Sequence, residues 1–397
     1  MNKICVGDDL LHRLATSDRE ISEEVRQCIE VAFKDFIAGV LCGSKKYPKP
    51  TRSGMTAMAN YLALAGSSDD LDDVDWDVLT HPGSIIWPVL IAAHSEESFK
   101  VEELIDAAFC GYRAGRSIAS LLGASHRSNW HLTTTSGAFA ATSALATLWK
   151  LSEEQHIAAL KMTLTTMTGS PLAGFERVGA TQYNRAVATS LAITAVTSAQ
   201  VNAPYIHDVW HGSRGVIGMF NAEATALAEY HQDMGDKFLL EGISTLHIRT
   251  YFATGFVSAA VQGLLRILEE NGTPDSIEVT LAAGLASTLD GSRGGTWWNP
   301  EAIIRALVTS RDPFKIVGSH QWPGSVEIIF GDVAPGAANV LAKYGDRIIA
   351  LLIPIAPFRI QDLSATDAEL VHEKWRKLTG INEFAELSVG SLIQTVL

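Results

Sequence analysis

The sequence contains few cysteines, only four among 397 residues. These are Cys5, Cys28, Cys42 and Cys110, and no two of them have the Cys-x-x-Cys spacing of a zinc site or a redox motif. They lie mostly in apolar stretches, as buried thiols in a reducing compartment do. The N-terminal stretch MNKICVGDDLL also lacks the apolar core of a secretory signal peptide. The sequence therefore predicts a cytoplasmic protein.

Basic residues are outnumbered: 31 lysines and arginines stand against 44 aspartates and glutamates, a formal net charge of -13. An acidic surface repels nucleic acids and anionic membranes, so we expect neither as a partner. Long apolar runs are missing too. The longest, IIALLIPIAPF at 348–358, is too short to span a bilayer and is broken by prolines. A local group of arginines and histidines can still bind a small anion.

The chain has none of the common cofactor or hydrolase motifs. No GxSxG elbow, kinase set or HExxH occurs, and the Gly-rich stretch GSRGGTWWNPEA has neither the P-loop nor the dinucleotide spacing. His207 and His211 stand four residues apart, as metal ligands on a helix do, but no Glu follows at the zincin spacing. Gly212 and Gly215 indicate a loop there instead. We therefore predict no metal and no cofactor.

Hydrophobic periodicity changes along the chain. Up to about residue 235 it is helical, with capped helices such as SEEVRQCIEVAFKDFIAGVLCG and small-residue helices such as TTTSGAFAATSALATLWKL. Beyond that point DSIEVTLAAGL, SVEIIFGDV and DRIIALLIPI read as strands between helices. We predict a mainly α protein with a large all-α domain at 1–235 and an α+β domain at 236–379. A closing helix at about 380–397 is expected to return to the first domain.

The segment DDLDDVDWDVLTHPGS, residues 69–84, carries six aspartates and His81. Six like charges repel one another, so most are expected in solvent, with one or two buried against a His or Arg. Their spacing is not that of an EF-hand, which makes a divalent metal a poor interpretation. His81 precedes a Pro-Gly turn at the start of a helix. It is either a general acid or base held by a carboxylate, or part of a surface turn.

Three further stretches contain candidate ligand-binding residues. His131, in SNWHLTTTSGAFAA, precedes a buried helix and is either a pocket residue or a core histidine. Arg249 and Tyr251, in IRTYFATG, alternate on an extended segment and so share a face. An arginine fork and a phenol suit a carboxylate, whereas the alternative is an interdomain salt bridge. Arg214, in HGSRG, is a further candidate for binding an anion.

Taken together, these stretches resemble the MmgE/PrpD family, which includes 2-methylcitrate dehydratases, cis-aconitate decarboxylases and iminodisuccinate epimerases. The most specific similarity is DLDD…HPGSIIWPVLIAAHSEE; others are FCGYRAG, NWHLTTTSGAFAATSALATL, HGSRG, RTYFATGFVSAAVQGLLRIL and WNPEAIIRAL. The resemblance extends along nearly the whole chain. It implies a large all-α domain with a smaller α+β lid, a cofactor-independent site in the cleft between them, and a homodimer.

By position, the resemblance assigns catalytic roles to Asp70, His81 and His131. It assigns substrate binding to the following residues: Arg249, Tyr251, Arg177, Arg214 and Glu301. Several family positions are replaced. Val74 stands for a small hydroxyl residue, Ser67 and Ser258 for histidines, Arg249 for a lysine and Glu301 for a tyrosine, and Arg177 is the cation nearest to a second lysine.

The chemistry that this resemblance implies is proton removal next to a carboxylate or carbonyl of a small acid. We expect a lyase, acting by dehydration or decarboxylation, in which Asp70 pairs with His81 and His131 serves on the other side of the substrate. One alternative is an isomerase or epimerase on the same scaffold. Another is a non-catalytic protein that binds a small acid, as the replacements Val74, Ser258 and Glu301 favour.

Overall fold

The computed structural model describes residues 6–16, 21–68, 70–172, 181–220, 243, 245–289, 298–315 and 322–397. Its α-helices are α1 (Val6–Thr16), α2 (Glu23–Gly43), α3 (Met55–Gly66), α4 (Gly83–Glu96), α5 (Val101–Asn129), α6 (Leu132–Leu148), α7 (Glu153–Thr166), α8 (Thr181–Gln200), α9 (Val216–Phe220), α10 (Ser258–Asn271), α11 (Pro300–Ser310), α12 (Ala365–Thr379) and α13 (Val389–Val396). Among these described helices, none combines the length and apolarity needed to cross a membrane.

Helix boundaries follow local chemistry. The Ser22 side chain accepts a hydrogen bond from the Val25 amide and so caps α2, and two glutamates follow in its first turn. Ser152 and Gln155 form a reciprocal capping box at α7. Gly123 has φ of 69° and bends α5 within its length. These are the start and stop signals that the sequence carries.

Helix α6 is the centre of the helical part, and every one of its 17 residues is buried. It packs against α4, α5, α7 and α8. Its abundance of Ala, Ser, Thr and Gly allows this, because small side chains let neighbouring backbones approach closely. At Gly137, for example, an added Cβ would lie 2.2 Å from the Ile85 side chain. A helix without charged residues is thereby surrounded by other helices.

A four-stranded sheet forms the second part, in the order β4-β3-β5-β6. Its strands are β3 (Ser276–Ala282), β4 (Ser325–Gly331), β5 (Ala338–Tyr344) and β6 (Arg347–Ile353). Strands β3 and β4 are parallel, while β5 is antiparallel to both β3 and β6. Helix α10 packs against β5 and β6, and α11 packs against β4. This layer of helices on a mixed sheet is an α+β arrangement.

A short antiparallel ladder connects the acidic segment to a distant part of the chain. Strand β1 (Val74–Asp75) pairs with β2 (Leu246–His247), with Val74 opposite His247. The chain end also returns to the helical part, since α12 and α13 both contact α2. These connections place the acidic segment between the helices and the residues that follow β2.

The predicted fold class, mainly α with a smaller α+β part, is confirmed. The three predicted strands are present as β3, β4 and β6, and β5 is an additional strand that the sequence interpretation did not include. The predicted division into domains near residue 235 falls outside the described residues and stays a prediction.

Candidate active site

A cavity of about 600 Å³ lies where α6, α8, the acidic segment and the chain after β2 meet. Its polar lining includes Asp70, His81, His131, Arg185 and Arg249. Four of these five are residues that the sequence interpretation selected, and they come from positions up to 179 residues apart in the chain. Long-range contacts, not local sequence, therefore assemble this group.

Two buried arginines and two aspartates form an ionic cluster at the cavity. Arg185 Nη1 lies 2.8 Å from Asp72 Oδ2. Arg249 Nη1 lies 2.9 Å from Asp70 Oδ1, and its Nη2 donates to Asp72. Arg249 Nε also donates to the Asp72 backbone carbonyl, at 2.7 Å. With both side chains of the Asp72–Arg249 pair at least nine-tenths buried, each charge is compensated by direct contact.

His81 is held by the backbone of the acidic segment. Its Nδ1 lies 2.8 Å from the Asp73 carbonyl oxygen, which is only an acceptor, so Nδ1 carries the proton and donates. In the neutral ring Nε2 is then the basic nitrogen, and no described residue bonds to it. The Asp72 carboxylate lies 4.0 Å from the same ring. The tautomer is therefore fixed, as a general base requires.

Asp73 explains why glycine follows the His-Pro dipeptide. Its carboxylate accepts hydrogen bonds from the Gly83 amide at 3.1 Å and from the Tyr112 hydroxyl at 2.8 Å. A Cβ on Gly83 would lie 2.5 Å from Asp73 Oδ2 and 2.7 Å from the Tyr112 oxygen. Only glycine leaves room for this contact, which ties the start of α4 to the segment that carries His81.

His131 is the N-terminal capping position of α6. Its amide donates to the Gly169 carbonyl at 2.9 Å, and its Nδ1 lies 2.5 Å from the Thr134 hydroxyl. These contacts fix the ring at the end of a fully buried helix. No hydrogen bond from a described residue reaches its Nε2.

Burial keeps both imidazoles neutral. Burial and the nearby Arg249 charge hold the pKa of His81 well below its usual value. Burial and Arg185 lower the pKa of His131 to about 3. Burial would raise the pKa of Asp72, but the guanidinium groups of Arg185 and Arg249 outweigh burial and hold it below its usual range. At neutral pH the cavity therefore contains two neutral imidazoles beside an ionised carboxylate.

The sequence matches the model of the MmgE/PrpD N-terminal domain over residues 18–228, more than half of the chain. The chain belongs to the MmgE/PrpD family. No curated protein matches it. The matched region contains Asp70, His81, His131 and Arg185, whereas Arg249 lies beyond it. The MmgE/PrpD family includes dehydratases, which supports an enzymatic role in general.

The MmgE/PrpD resemblance of the sequence is thus confirmed, but one interpretation of its acidic segment is wrong. Most aspartates there were expected in solvent, whereas Asp72, Asp73 and Asp75 are buried. The reason is that each has a partner: Asp72 has two arginines, Asp73 has Tyr112, and Asp75 accepts from the Thr245 hydroxyl at 3.0 Å. Asp77 is exposed as expected, and Asp69 lies outside the described residues.

The expected pairing of Asp70 with His81 is also corrected. The Asp70 carboxylate contacts Arg249, and the carboxylate nearest to His81 at ion-pair distance is that of Asp72. Asp70 has φ of 55°, in the left-handed region that Asp tolerates.

The predicted substrate-binding residues do not all reach the cavity. Tyr251 is buried in the core, where its ring packs edge-on against Phe358 at 5.0 Å, so it does not share the position of Arg249. Glu301 pairs with Arg305 one helical turn away, at 2.8 Å. Arg214 is exposed and is not among the described residues that line the cavity. Arg177 lies outside the described residues.

The histidine pair at 207 and 211 does not form a helical metal site. Its segment is not helical, and the His211 ring contacts the exposed Asp208 carboxylate at 3.1 Å. Over the described residues, no group of three or more His, Cys, Asp or Glu side chains is arranged to hold a metal ion.

The sequence interpretation missed one candidate site residue, Arg185, and one buried lysine that supports the acidic segment, Lys374. Arg185 is a single charge in the otherwise uncharged helix α8, and that isolation was a usable signal for a buried ion pair. Lys374, in α12, is fully buried and donates to Asp35 and to the Leu71 carbonyl, each at 2.7 Å. It connects the chain end to the acidic segment. No local pattern distinguishes it from an exposed lysine, because its partners are more than 300 residues away.

Proposed function

We propose that this chain is a cofactor-independent lyase that removes a proton next to a carboxylate or carbonyl of a small acid, by dehydration or decarboxylation. The observation that carries the proposal is the presence of His81 and His131 in one cavity with Arg185 and Arg249. This combination supplies a base, a second proton-transfer group and two cations, which are the elements that such a reaction requires.

His81 is proposed as the base. Its Nδ1 proton is engaged by the Asp73 carbonyl, so Nε2 is the nitrogen available to accept a proton from the substrate. The Asp72 carboxylate at 4.0 Å stabilises the imidazolium that forms. A base held in this way contributes about 10²–10⁴-fold to the rate.

The two arginines are proposed to hold the carboxylate of the substrate. Each terminal guanidinium nitrogen carries two N–H groups, so a nitrogen that contacts Asp70 or Asp72 retains one for a ligand oxygen. Asp70 and Asp72 balance the two arginines, so the cluster itself does not repel an anion. Lys46 and Arg127 also line the cavity and add positive charge.

His131 is proposed as the second proton-transfer group. In a dehydration it protonates the hydroxide that leaves as His81 removes the proton from the adjacent carbon. In a decarboxylation no proton leaves carbon, and His131 instead protonates the carbon that keeps the electron pair of the broken bond to carbon dioxide. A bound carboxylate raises the pKa of a neighbouring imidazole, which restores the proton that this role requires. A second function, epimerisation, is favoured by the same observation, because two imidazoles in one cavity can remove and return a proton at one carbon.

Proton exchange distinguishes these functions. Succinate, malate and citrate are incubated with the protein in D2O and followed by NMR. We expect deuterium at a carbon next to a carboxylate, with an unsaturated or decarboxylated product for a lyase and an unchanged formula with inverted configuration for an epimerase. The His81→Ala protein is the matched control and should exchange nothing. The same incubation is repeated with hexylsuccinate and benzylsuccinate, and acids of either kind that bind without any exchange would indicate a non-catalytic binding protein instead.

A homodimer is proposed on the resemblance of the sequence alone, and sedimentation equilibrium of the full chain tests it. The two-domain division is likewise proposed with a boundary near residue 235. Limited proteolysis tests this boundary, since cleavage there should release a stable helical fragment.

A further inference from the structure

One side of the cavity is aromatic. Trp76, Phe256 and Trp298 all line it and form what we call the aromatic wall. The rings of Trp76 and Phe256 are 5.5 Å apart and edge to face, and those of Phe256 and Trp298 are 6.1 Å apart. All three side chains are half-buried, so they present apolar surface to the cavity. The ion pairs of the charged cluster join Arg185 and Arg249 to Asp70 and Asp72 and do not involve these rings.

The aromatic wall begins directly beside Arg249. Gly255 lies between them: a Cβ there would be 2.8 Å from the Arg249 Cδ and 3.4 Å from the Trp76 ring. The aliphatic part of Arg249 and the Trp76 ring therefore meet over the same glycine. The wall and Arg249 are thus neighbours in the lining of one cavity, close enough for a single ligand to contact both.

The size of the cavity exceeds what a small dicarboxylic acid fills. A cavity of about 600 Å³ has the volume of roughly twenty water molecules in the liquid. Succinate has about eight non-hydrogen atoms and would leave the aromatic wall in contact with water, whereas pockets of this size commonly hold larger ligands. The described residues leave this aromatic surface uncovered next to a charged cluster, which favours a ligand with both a charged and an apolar end.

We propose that the substrate is a carboxylic acid that carries an alkyl or aryl substituent, and that this substituent lies against Trp76, Phe256 and Trp298. The inference rests on the proposed function, because the carboxylate has to bind at Arg185 and Arg249. The inference narrows the substrate of that function from small acids in general to amphiphilic acids, which have a charged end and an apolar end. The wall is then a determinant of specificity, and the arginines determine orientation.

A ligand series tests the proposal. Succinate, methylsuccinate, butylsuccinate, hexylsuccinate and benzylsuccinate are titrated into the full-length protein by calorimetry. We expect the dissociation constant to fall about fourfold for each methylene that the wall covers. Trp298→Ala should weaken hexylsuccinate and benzylsuccinate binding at least about tenfold and change succinate binding less than about twofold. The matched control is Trp322→Phe, because Trp322 is not among the described residues that line the cavity. This variant should change the affinity neither for succinate nor for the substituted succinates.

The outcomes separate this inference from the proposed function. One outcome overturns the substrate class alone. If succinate binds, if Arg249→Met abolishes that binding, and if affinity does not depend on chain length, then the carboxylate site stands and the amphiphilic substrate class is wrong. If no member of the series binds, both are overturned. Because the wild-type series decides the question, a Trp298 variant that fails to fold leaves the test intact.

Discussion

Asp72 and Arg249 face each other on an extension of the β1–β2 ladder. Val74 is opposite His247 in this antiparallel pair, so the residues two positions outward, Asp72 and Arg249, are also opposite and on the same face. The Arg249 side chain contacts both the carboxylate and the carbonyl of Asp72. The register of two short strands thereby brings together charges that are 177 residues apart in the sequence.

Removing the Asp72 charge is expected to destabilise the protein. Asp72→Asn leaves Arg185 and Arg249 with less compensation in a buried site, which should lower the free energy of unfolding by about 3–5 kcal/mol. The measurement is urea denaturation at pH 7.5. Asp77→Asn is the control: Asp77 pairs with Arg116 at 2.7 Å, but its side chain is 57% exposed, so about 1 kcal/mol or less is expected. Equal losses in both variants would contradict the importance of the buried cluster.

Replacing either cavity histidine should stop catalysis without unfolding the protein. His81→Ala and His131→Ala each remove a proton-transfer group, so we expect kcat to fall by about 10²–10⁴-fold or more. Circular dichroism and thermal unfolding should stay close to wild type. His211→Ala, at a side chain that is 61% exposed, is the control and should retain full activity. Full turnover in both cavity variants would show that the residues are not catalytic.

Gly83 is expected to tolerate no side chain. In Gly83→Ala the new Cβ overlaps the Asp73 carboxylate and the Tyr112 hydroxyl, so the segment that carries His81 has to move. We expect a loss of about 1–3 kcal/mol in unfolding free energy together with lower activity. Gly390→Ala, in helix α13, is the matched control. Its new Cβ would meet only the Val101 side chain, at an ordinary contact distance of 3.8 Å. That variant should be neutral or stabilised by about 0.5–1 kcal/mol. Similar behaviour of the two variants would refute the close-contact explanation.

Asp73 should make stability depend on pH. Burial, followed by the charge of Asp72, raises its pKa to about 7 in the folded protein, above about 3.9 in an unfolded chain. The folded state therefore binds more protons between these values, and the stability that Asp73 contributes is complete below pH 4 and lost as the pH rises through 7. Asp73→Asn removes this dependence. The free energy of unfolding, measured by urea denaturation, should decline between pH 5 and pH 8 by a few kcal/mol less in the variant than in the wild type. Parallel declines would exclude the effect.

The helical part was predictable because its signals are local. Ser22 and Gly43 mark the ends of α2, and the uncharged, small-residue pattern of α6 indicates a buried helix. Strand β5 was missed because ANVLAKY alternates only weakly and is recognisable mainly by its pairing with β3 and β6. The family was predictable from the His-Pro-Gly motif, whose glycine is now explained by contact with Asp73.

The sequence by itself determined the helical body, the positions of His81 and His131 at the starts of two helices, and the family. Only the tertiary structure decided which aspartates are charged and buried, because burial depends on partners such as Arg185 and Arg249 that lie more than 100 residues away. It also decided that Arg249 lines the cavity while Tyr251 packs in the core. Charge and periodicity are properties of a segment, whereas the pKa and accessibility of a side chain depend on neighbours that folding brings together.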